Sequence, residues 1–150
     1  MSKKIIINEI YDSILVNKFI NCFQKKGKKS FIENKFYTIL LKFKKKKING
    51  TLLFFYCVEL IKPTMVVISA IKSGITYSVG SMLPFQYQYY TAIRWLAKAI
   101  ATQKNKNVEL QIINEILGIS LIFKSIALKK KKDNYLTIFK NRSLTHFRWR

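Results

Sequence analysis

The amino-acid sequence predicts a mainly α-helical fold, a bundle-like domain of about six helices with one protruding β-hairpin. Apolar residues recur at helical spacing through most of the 150-residue chain, as is typical of amphipathic helices. The passage from Val66 to Val79 differs, because apolar and polar residues nearly alternate there on both sides of Gly74. That pattern predicts two antiparallel strands, since alternation turns one face inward and glycine tolerates the positive φ of a tight turn.

Residues 1–150 are predicted to form one domain, because no repeat, serine- or glycine-rich linker or proline-rich tract divides them. A chain of this length can bury roughly 68–70% of its unfolded surface, which is enough for a core of its own. Within the domain we distinguish a short N-terminal extension, a hairpin arm and a C-terminal tail. These three segments are residues 1–11, 64–83 and 146–150.

Three helices are predicted before the arm. The first follows the apolar pattern from Ile14 to Phe23 and ends at a basic turn around Gly27. The second carries its apolar residues from Phe31 to Leu40, and we expect it to fray in the lysine-rich stretch before Gly50. The third extends from about Thr51 to Lys62, because the next residue is a proline.

Three more helices are predicted after the arm. The fourth covers Tyr87 to Ala101, and the fifth covers Val108 to Phe123. We expect the sixth from about Asp133 to Thr145, after a basic connection. The lysine block Lys129–Lys132 would then lie in its first turn or just ahead of it.

The charge is unusual, since 28 Lys and Arg against 7 Asp and Glu give a net charge of +21. Such an excess opposes the compact state by self-repulsion, which a polyanionic partner would relieve. Nucleic acid is the partner we predict, and an anionic membrane surface is the alternative, with Ile39–Lys47 as an amphipathic helix for it. Apolar runs such as Thr51–Ile61 fall short of the roughly 18–20 residues that span a bilayer. The N-terminus resembles neither a secretory signal nor a transit peptide.

The sequence offers little catalytic machinery. Its single histidine is His146, its acidic residues are dispersed, and no glycine-rich phosphate loop is present. Cys22 and Cys57 lie in apolar helical patterns without a neighbouring histidine, so we interpret both as buried thiols in a reducing compartment. We therefore predict no enzyme activity, no catalytic residue, no metal and no cofactor. The disfavoured enzyme alternative is a nuclease, which would need clustered carboxylates.

Several passages resemble a known family. Lys18–Leu40 ("KFINCFQKKGKKSFIENKFYTIL") is similar to the helix, basic loop and helix that open small-subunit ribosomal protein seven. Val58–Val79 ("VELIKPTMVVISAIKSGITYSV") is similar to its proline-led β-ribbon, and Thr91–Ala99 ("TAIRWLAKA") to the helix after it. The shorter motifs "NEI", "ALKKKKD" and "HFRW" follow in the same order, so the resemblance covers roughly Asp12 to Trp149.

The resemblance implies a mostly helical fold with a protruding ribbon, in a protein that binds small-subunit rRNA. Family members organise the 3′ domain, the head of the subunit, and lie near the tRNA exit site and the mRNA path. The implied partners are small-subunit rRNA, neighbouring head and platform ribosomal proteins, and transiently tRNA and mRNA, with no membrane. The richness in Lys, Ile, Asn and Phe suggests an AT-rich genome. We therefore expect an organelle-encoded protein of a mitochondrial ribosome.

The chain departs from the bacterial pattern of that family at three places. Only Lys3 and Lys4 remain of its arginine-rich N-terminal arm. Ala70 and Ile71 replace two arginines of the ribbon, and "FQYQYY" (Phe85–Tyr90) replaces arginines before the fourth helix. We expect the apolar residues at the last two places to meet a neighbouring protein rather than RNA.

RNA binding needs positive charge at phosphate spacing and planar groups for stacking. Four lysines surround Gly27, and we expect Ser30 to cap the second helix, whose N-terminus favours a phosphate. We expect Trp95 in the core and Arg94 facing outward, since adjacent helical residues point about 100° apart. Lys44–Lys47 are left open between RNA contact and a solvated surface. The predicted rRNA-binding residues are Lys25, Lys26, Lys28, Lys29, Ser30, Lys62, Lys72, Arg94, Lys129, Lys130, Lys131, Lys132, Arg142, His146, Arg148, Trp149 and Arg150.

Overall fold

The computed structural model describes residues 14–105, 107–121 and 124–148. These residues form six α-helices, one antiparallel β-hairpin and a C-terminal 3-10 helix, which confirms the predicted fold class. The elements are α1 (Ile14–Phe23), α2 (Lys29–Lys45), α3 (Gly50–Ile61), β1 (Met65–Lys72), β2 (Ile75–Met82), α4 (Phe85–Thr102), α5 (Val108–Ser120), α6 (Ile126–Lys140) and the 3-10 helix (Arg142–Arg148). The predicted N-terminal extension, residues 1–11, lies outside the described residues.

A phenylalanine cluster joins the first three helices. Phe19 of α1, Phe36 of α2 and Phe54 of α3 are fully buried. Their ring centroids lie 5.4 to 5.5 Å apart in tilted and edge-on arrangements, the geometries that aromatic pairs prefer. The core continues into α4 and α5 through residues such as Ile93 and Ile112. The helices therefore enclose one contiguous core.

Some predicted helix boundaries were wrong by a few residues. One side chain predicted on the apolar side of its helix is instead half-exposed. Helix α2 stays regular through Lys45, so it frays later than expected. Helix α4 already begins at Phe85, directly after Pro84. A proline is accepted at the start of a helix because the N–H that it lacks would have no partner there. Phe31, predicted on the apolar side of α2, is 49% exposed, and the Lys35 ammonium lies 5.8 Å from its ring centroid.

The start of the sixth helix was also predicted wrongly. Helix α6 begins at Ile126, and the side chain of Ser125 caps it by accepting a hydrogen bond from the Leu128 N–H. It ends at Lys140, and the 3-10 helix covers the rest of the predicted span. The lysine block Lys129–Lys132 therefore lies inside the helix rather than ahead of it.

The hairpin has the predicted position and turn. Its register pairs Met65 with Met82 and Lys72 with Ile75. Ser73 and Gly74 form the turn with φ values of 51° and 79°, and two positive φ values match the twist of the flanking strands. Both strands lie within the predicted arm, residues 64–83.

The C-terminal part of the chain holds the base of the arm from both sides. The Asn134 side chain accepts a hydrogen bond from the Val67 N–H and donates one to the Met65 carbonyl, at 3.1 and 2.9 Å. The Asn141 side chain donates to the Ser78 carbonyl on the other strand. Helix α6 thus crosses one face of the ribbon, from the free edge of β1 to the free edge of β2.

The 3-10 helix covers the opposite face of the ribbon. Its Phe147 packs against Tyr77, with ring centroids 5.0 Å apart, and the Lys72 ammonium lies 4.3 Å from the Phe147 ring centroid. Ile138 of α6 instead approaches Gly80, which is three residues from Tyr77 and so on the other face. The arm is therefore fixed in direction by tertiary contacts.

Candidate RNA-binding surface

The turn between α1 and α2 presents four lysines to solvent. Lys26 and Gly27 both take positive φ, at 53° and 72°, which reverses the chain within a few residues. Lys25, Lys26, Lys28 and Lys29 are all exposed. Within the described ranges only Lys29 has an acidic partner, because its Nζ lies 3.6 Å from Glu33 Oε1. The other three lysines have none. The turn is therefore a dense and largely uncompensated group of positive charges.

Ser30 does not cap α2, so that expectation was wrong. The helix begins at Lys29, Lys28 is the N-cap residue, and no side chain of the cap hydrogen-bonds to the helix. A serine caps a helix from the residue before its first turn, where the backbone is not yet helical. Ser30 lies inside that turn, exposed beside the lysines.

Three of the four lysines in the α6 block face solvent, and the fourth is bound to another helix. Lys129, Lys130 and Lys132 are exposed. The Lys131 ammonium instead donates a hydrogen bond of 2.7 Å to the carbonyl of Leu60, in the last turn of α3. A cation there satisfies a carbonyl that the helix leaves free and complements the negative end of its dipole. Lys131 therefore joins two helices.

Basic side chains of α1, α4 and α6 lie near Arg94 and its neighbours Cys22 and Lys130. Trp95 is 9% exposed, which confirms its predicted core position, and Arg94 faces solvent as expected. The Lys130 ammonium of α6 lies 5.9 Å from the Trp95 ring centroid. Partial desolvation against the protein surface lowers the pKa of Lys130, and the charges of Lys98 and Arg94 lower that pKa further. Burial raises the pKa of the Cys22 thiol, against the opposing charges of Arg94 and Lys18.

We call Lys18, Arg94, Lys98 and Lys130 the three-helix cluster. In the part of the chain that the structure describes, none of these side chains pairs with a carboxylate. The sequence analysis did not select Lys18 or Lys98. Lys98 could have been found, because it lies four residues after Arg94 and so on the same helical face. Lys18 could not have been assigned to this cluster from the sequence, because only the packing of α1 beside α4 brings it near Arg94.

Lys62 is partly buried and makes its contacts within the protein. Its ammonium pairs with Glu59 and lies 4.6 Å from the Tyr89 and 5.2 Å from the Phe85 ring centroid. The hydrogen bond with Glu59 raises the pKa of Lys62 and lowers the pKa of Glu59. Lys62 thus holds the end of α3 to the start of α4.

Two further lysines neutralise the buried Glu109. Lys35 donates a hydrogen bond of 2.7 Å to Glu109, and Lys42 binds its other carboxylate oxygen. These hydrogen bonds lower the pKa of Glu109 to about 2. Both lysines come from α2 and the carboxylate from α5, so the ion triad joins the two helices. Part of the large positive charge is therefore used within the fold.

The remaining predicted residues lie at the arm and the C-terminus. Lys72 is exposed near the tip of the arm, where its ammonium contacts Phe147. The Arg142 guanidinium lies 5.0 Å from the Phe139 ring centroid, and His146 is exposed with Nδ1 3.0 Å from the Ser143 carbonyl oxygen. Trp149, Arg150 and the side chain of Arg148 lie outside the described residues.

The cysteines and acidic residues form no metal-binding group in the described ranges. Cys57 is fully buried as predicted, its thiol donates to the Ile116 carbonyl, and burial raises its pKa to about 12. Cys22 is only partly buried, and both thiols are free. Among residues 14–105, 107–121 and 124–148, no group of three His, Cys, Asp or Glu side chains could hold a metal ion. None of the helices in these ranges is long and apolar enough to cross a membrane.

Comparison with known proteins gives one consistent result. The family model described as ribosomal protein S7p/S5e matches residues 1–137. The small ribosomal subunit protein uS7 of a Nitratiruptor species is 32% identical over 149 residues, which cover 98% of this chain and 95% of the relative. The uS7 proteins of Pelagibacter ubique and Wigglesworthia glossinidia brevipalpis are 32% and 31% identical, over 98% and 93% of this chain and 95% and 89% of each relative.

Proposed function

The chain belongs to the ribosomal protein S7p/S5e family, and from this premise we propose that it binds the 3′ domain of small-subunit rRNA and organises the head of the subunit. A structural role in the small ribosomal subunit follows from the family itself, which is not enzymatic, so the prediction of no enzyme activity is confirmed. The contacts with the 3′ domain, and the position near the tRNA exit site and mRNA path, are the part that we propose.

The observation that carries the proposal is the surplus of exposed cations without acidic partners. The ion pairs among the described residues engage Lys29, Lys35, Lys42 and Lys62, and the other lysines and arginines of the described ranges have no carboxylate partner. Such a surface costs free energy through self-repulsion unless phosphates neutralise it. The basic turn around Gly27 and the three-helix cluster are two regions in which such cations lie close together.

Lysine dominates this surface, which favours contacts with the phosphate backbone over base-specific readout. An ammonium is a compact point charge, whereas the planar guanidinium of arginine offers a rigid pair of donors suited to bidentate contacts. Selectivity for rRNA then comes from the shape of a folded junction. A generic basic RNA-binding protein without that selectivity is the alternative, and a membrane-surface protein is the second one.

Apolar residues on the arm support contact with a neighbouring ribosomal protein of the head or platform. Ile71 and Ile75 near its tip are 66% and 57% exposed. Phe85 and Tyr87, at the start of α4, are 65% and 60% exposed. Exposed apolar residues that adjoin one another along the chain favour contact with another protein. Transient contact of the arm with tRNA and mRNA belongs to the same proposal.

The mitochondrial location remains a prediction from composition. It rests on the richness in Lys, Ile, Asn and Phe. The relatives named above are bacterial and do not support it. A ribosomal location follows from the family, and an organellar ribosome is our proposal within it.

A salt-titrated competition assay tests the proposal. The purified chain is mixed with the labelled 3′ domain of the small-subunit rRNA, and an unrelated structured RNA of equal length competes. We expect preference for the 3′ domain that persists at physiological salt, with the usual steep loss of affinity at higher salt. Equal binding to both RNAs would favour the generic alternative, and binding to anionic vesicles in preference to both would favour the membrane surface.

A further inference from the structure

Helix α6 and the start of β1 border an open, partly apolar groove. Its volume is about 780 Å³, and much of its wall comes from Leu136, Ile138 and Phe139. Leu136 is 48% and Phe139 is 65% exposed, although both are large apolar side chains. Exposed apolar surface of this kind marks a binding site more often than an ordinary surface.

One wall of the groove is held rigidly. The Tyr135 hydroxyl is fixed by the Thr64 N–H at 2.9 Å and lies 3.1 Å from the Thr64 hydroxyl. Ile138 packs against Gly80, where even a Cβ atom would come within 2.7 Å of it. The groove is therefore preformed, so a ligand would not have to order this wall on binding.

Phe139 and Arg142 form an exposed aromatic and cationic pair at the edge of the groove. The guanidinium carbon lies 5.0 Å from the ring centroid, within the range of a cation–π contact. An exposed ring beside a guanidinium offers a flat surface to a second planar group. Such platforms bind unstacked bases in proteins that hold single-stranded nucleic acid.

The charged side chains that line the groove are all basic. Lys132 and Arg142 line it, and neither pairs with a carboxylate within the described part of the chain. Lys131 also lines it but is engaged with the Leu60 carbonyl, and none of the lining residues is acidic. A ligand that suits this groove combines a planar, weakly polar face with negative charge close by. Every nucleotide of a single strand has that combination.

We propose that this groove binds an unstacked nucleotide of single-stranded RNA, with its base on Phe139 and adjacent phosphates near Lys132 and Arg142. The proposal rests on the RNA-binding function and adds a single-stranded subsite to it. Continuity supports it, since Lys129, Lys130 and Lys132 of the same helix already belong to the predicted RNA-binding residues. An apolar segment of another protein is the competing occupant, and the experiment below separates the two.

The test compares two labelled probes on the full-length chain by fluorescence anisotropy. One probe is a short oligouridylate, and the other is a strand of equal length that is abasic throughout, so both carry the same phosphates. We expect Phe139→Ala to weaken binding of the oligouridylate about tenfold, from the usual strength of base–aromatic stacking, and to leave the abasic strand unchanged. Arg142→Gln should weaken both, because it removes a charge. Phe139→Trp should retain binding of the oligouridylate.

Tyr56→Ala is the matched control, since Tyr56 is a half-exposed aromatic residue on α3 away from the groove lining. It should change neither affinity. If Phe139→Ala leaves the oligouridylate unaffected, or weakens both probes equally, the nucleotide subsite is wrong and a protein segment becomes the occupant to seek. The rRNA competition assay reports separately on the broader function, because preference for the 3′ domain can fail while the oligouridylate result holds.

Discussion

Glu115 of α5 accepts a hydrogen bond of 2.7 Å from the hydroxyl of Ser125, the residue that caps α6. The same carboxylate oxygen accepts the Ala127 N–H at 2.9 Å, and the other oxygen accepts the Gln103 side chain at 2.8 Å. Glu115 is 2% exposed, so a buried carboxylate meets the positive end of a helix dipole. This contact fixes where α6 begins, and thereby where its lysines point.

We expect Glu115→Ala to lower the free energy of unfolding by about 3 kcal/mol, because it leaves buried donors of three neighbouring residues without their acceptor. Glu115→Gln should cost less, since the amide oxygen replaces part of the acceptor. Urea denaturation measures both. Glu33→Ala is the control, because a pair such as Glu33–Lys29 near the surface contributes at most about 1 kcal/mol. Equal losses in Glu115→Ala and the control would contradict this role.

The basic turn can be tested against a second lysine block of equal charge. Changing Lys25, Lys26, Lys28 and Lys29 to Gln should weaken binding to the rRNA 3′ domain and flatten its salt dependence. If each lysine neutralises one phosphate, the slope of log K against log salt falls by about 3, from roughly 0.7–0.9 per contact. Changing Lys44–Lys47 to Gln removes the same charge. The assignment of the basic turn fails if its variant binds as the wild type does, and a loss in the Lys44–Lys47 variant would decide whether that second block also contacts RNA.

The pH dependence of stability should contain a contribution from Glu109. Lys35 and Lys42 lower its folded-state pKa from the usual 4.5 to about 2. A depressed carboxyl pKa means stabilisation that is complete above pH 4.5 and is lost as the pH falls toward 2. Urea midpoints of the wild type and Glu109→Gln, measured at successive pH values, should therefore converge over that interval. Parallel curves would show that the ion triad does not stabilise the fold.

The packing of the hairpin arm against α6 depends on Gly80. A Cβ atom at Gly80 would lie 2.7 Å from Ile138 Cγ2, so Gly80→Ala should destabilise the protein by about 1–3 kcal/mol through overpacking. Adding Ile138→Ala should relieve the clash and recover part of the loss. The control is Gly118→Ala in α5, where the nearest atoms are 3.7 Å away; it should stabilise the helix by up to about 1 kcal/mol. The Tm values of the three variants, measured by thermal unfolding, are compared with that of the wild type. An unchanged Tm for Gly80→Ala would show that α6 does not pack closely against Gly80.

The sequence analysis succeeded where the evidence is local. Helical periodicity predicted the existence of all six helices, and alternation with a glycine turn predicted the arm. It placed the start of α6 seven residues too late, because the lysine block hides the apolar pattern and the acceptor that stabilises Ser125 and Ala127 belongs to α5. The expected cap from Ser30 was wrong for a similar reason. Which residue caps a helix depends on the backbone conformation, and residue types alone do not determine it.

The sequence by itself determined the charge, the helical class, the arm and the ordered motifs that mark the family, because each depends on residue types and short spacings. Tertiary structure decided which cations remain available to RNA. Lys35 meets a carboxylate 74 positions away, and Lys131 meets a carbonyl 71 positions away, so both are used within the fold. Lys18 and Lys98 join Arg94 only because their helices pack together. The physical reason is that the free energy of a charged side chain depends on its neighbours in space, which spacing along one helix does not specify.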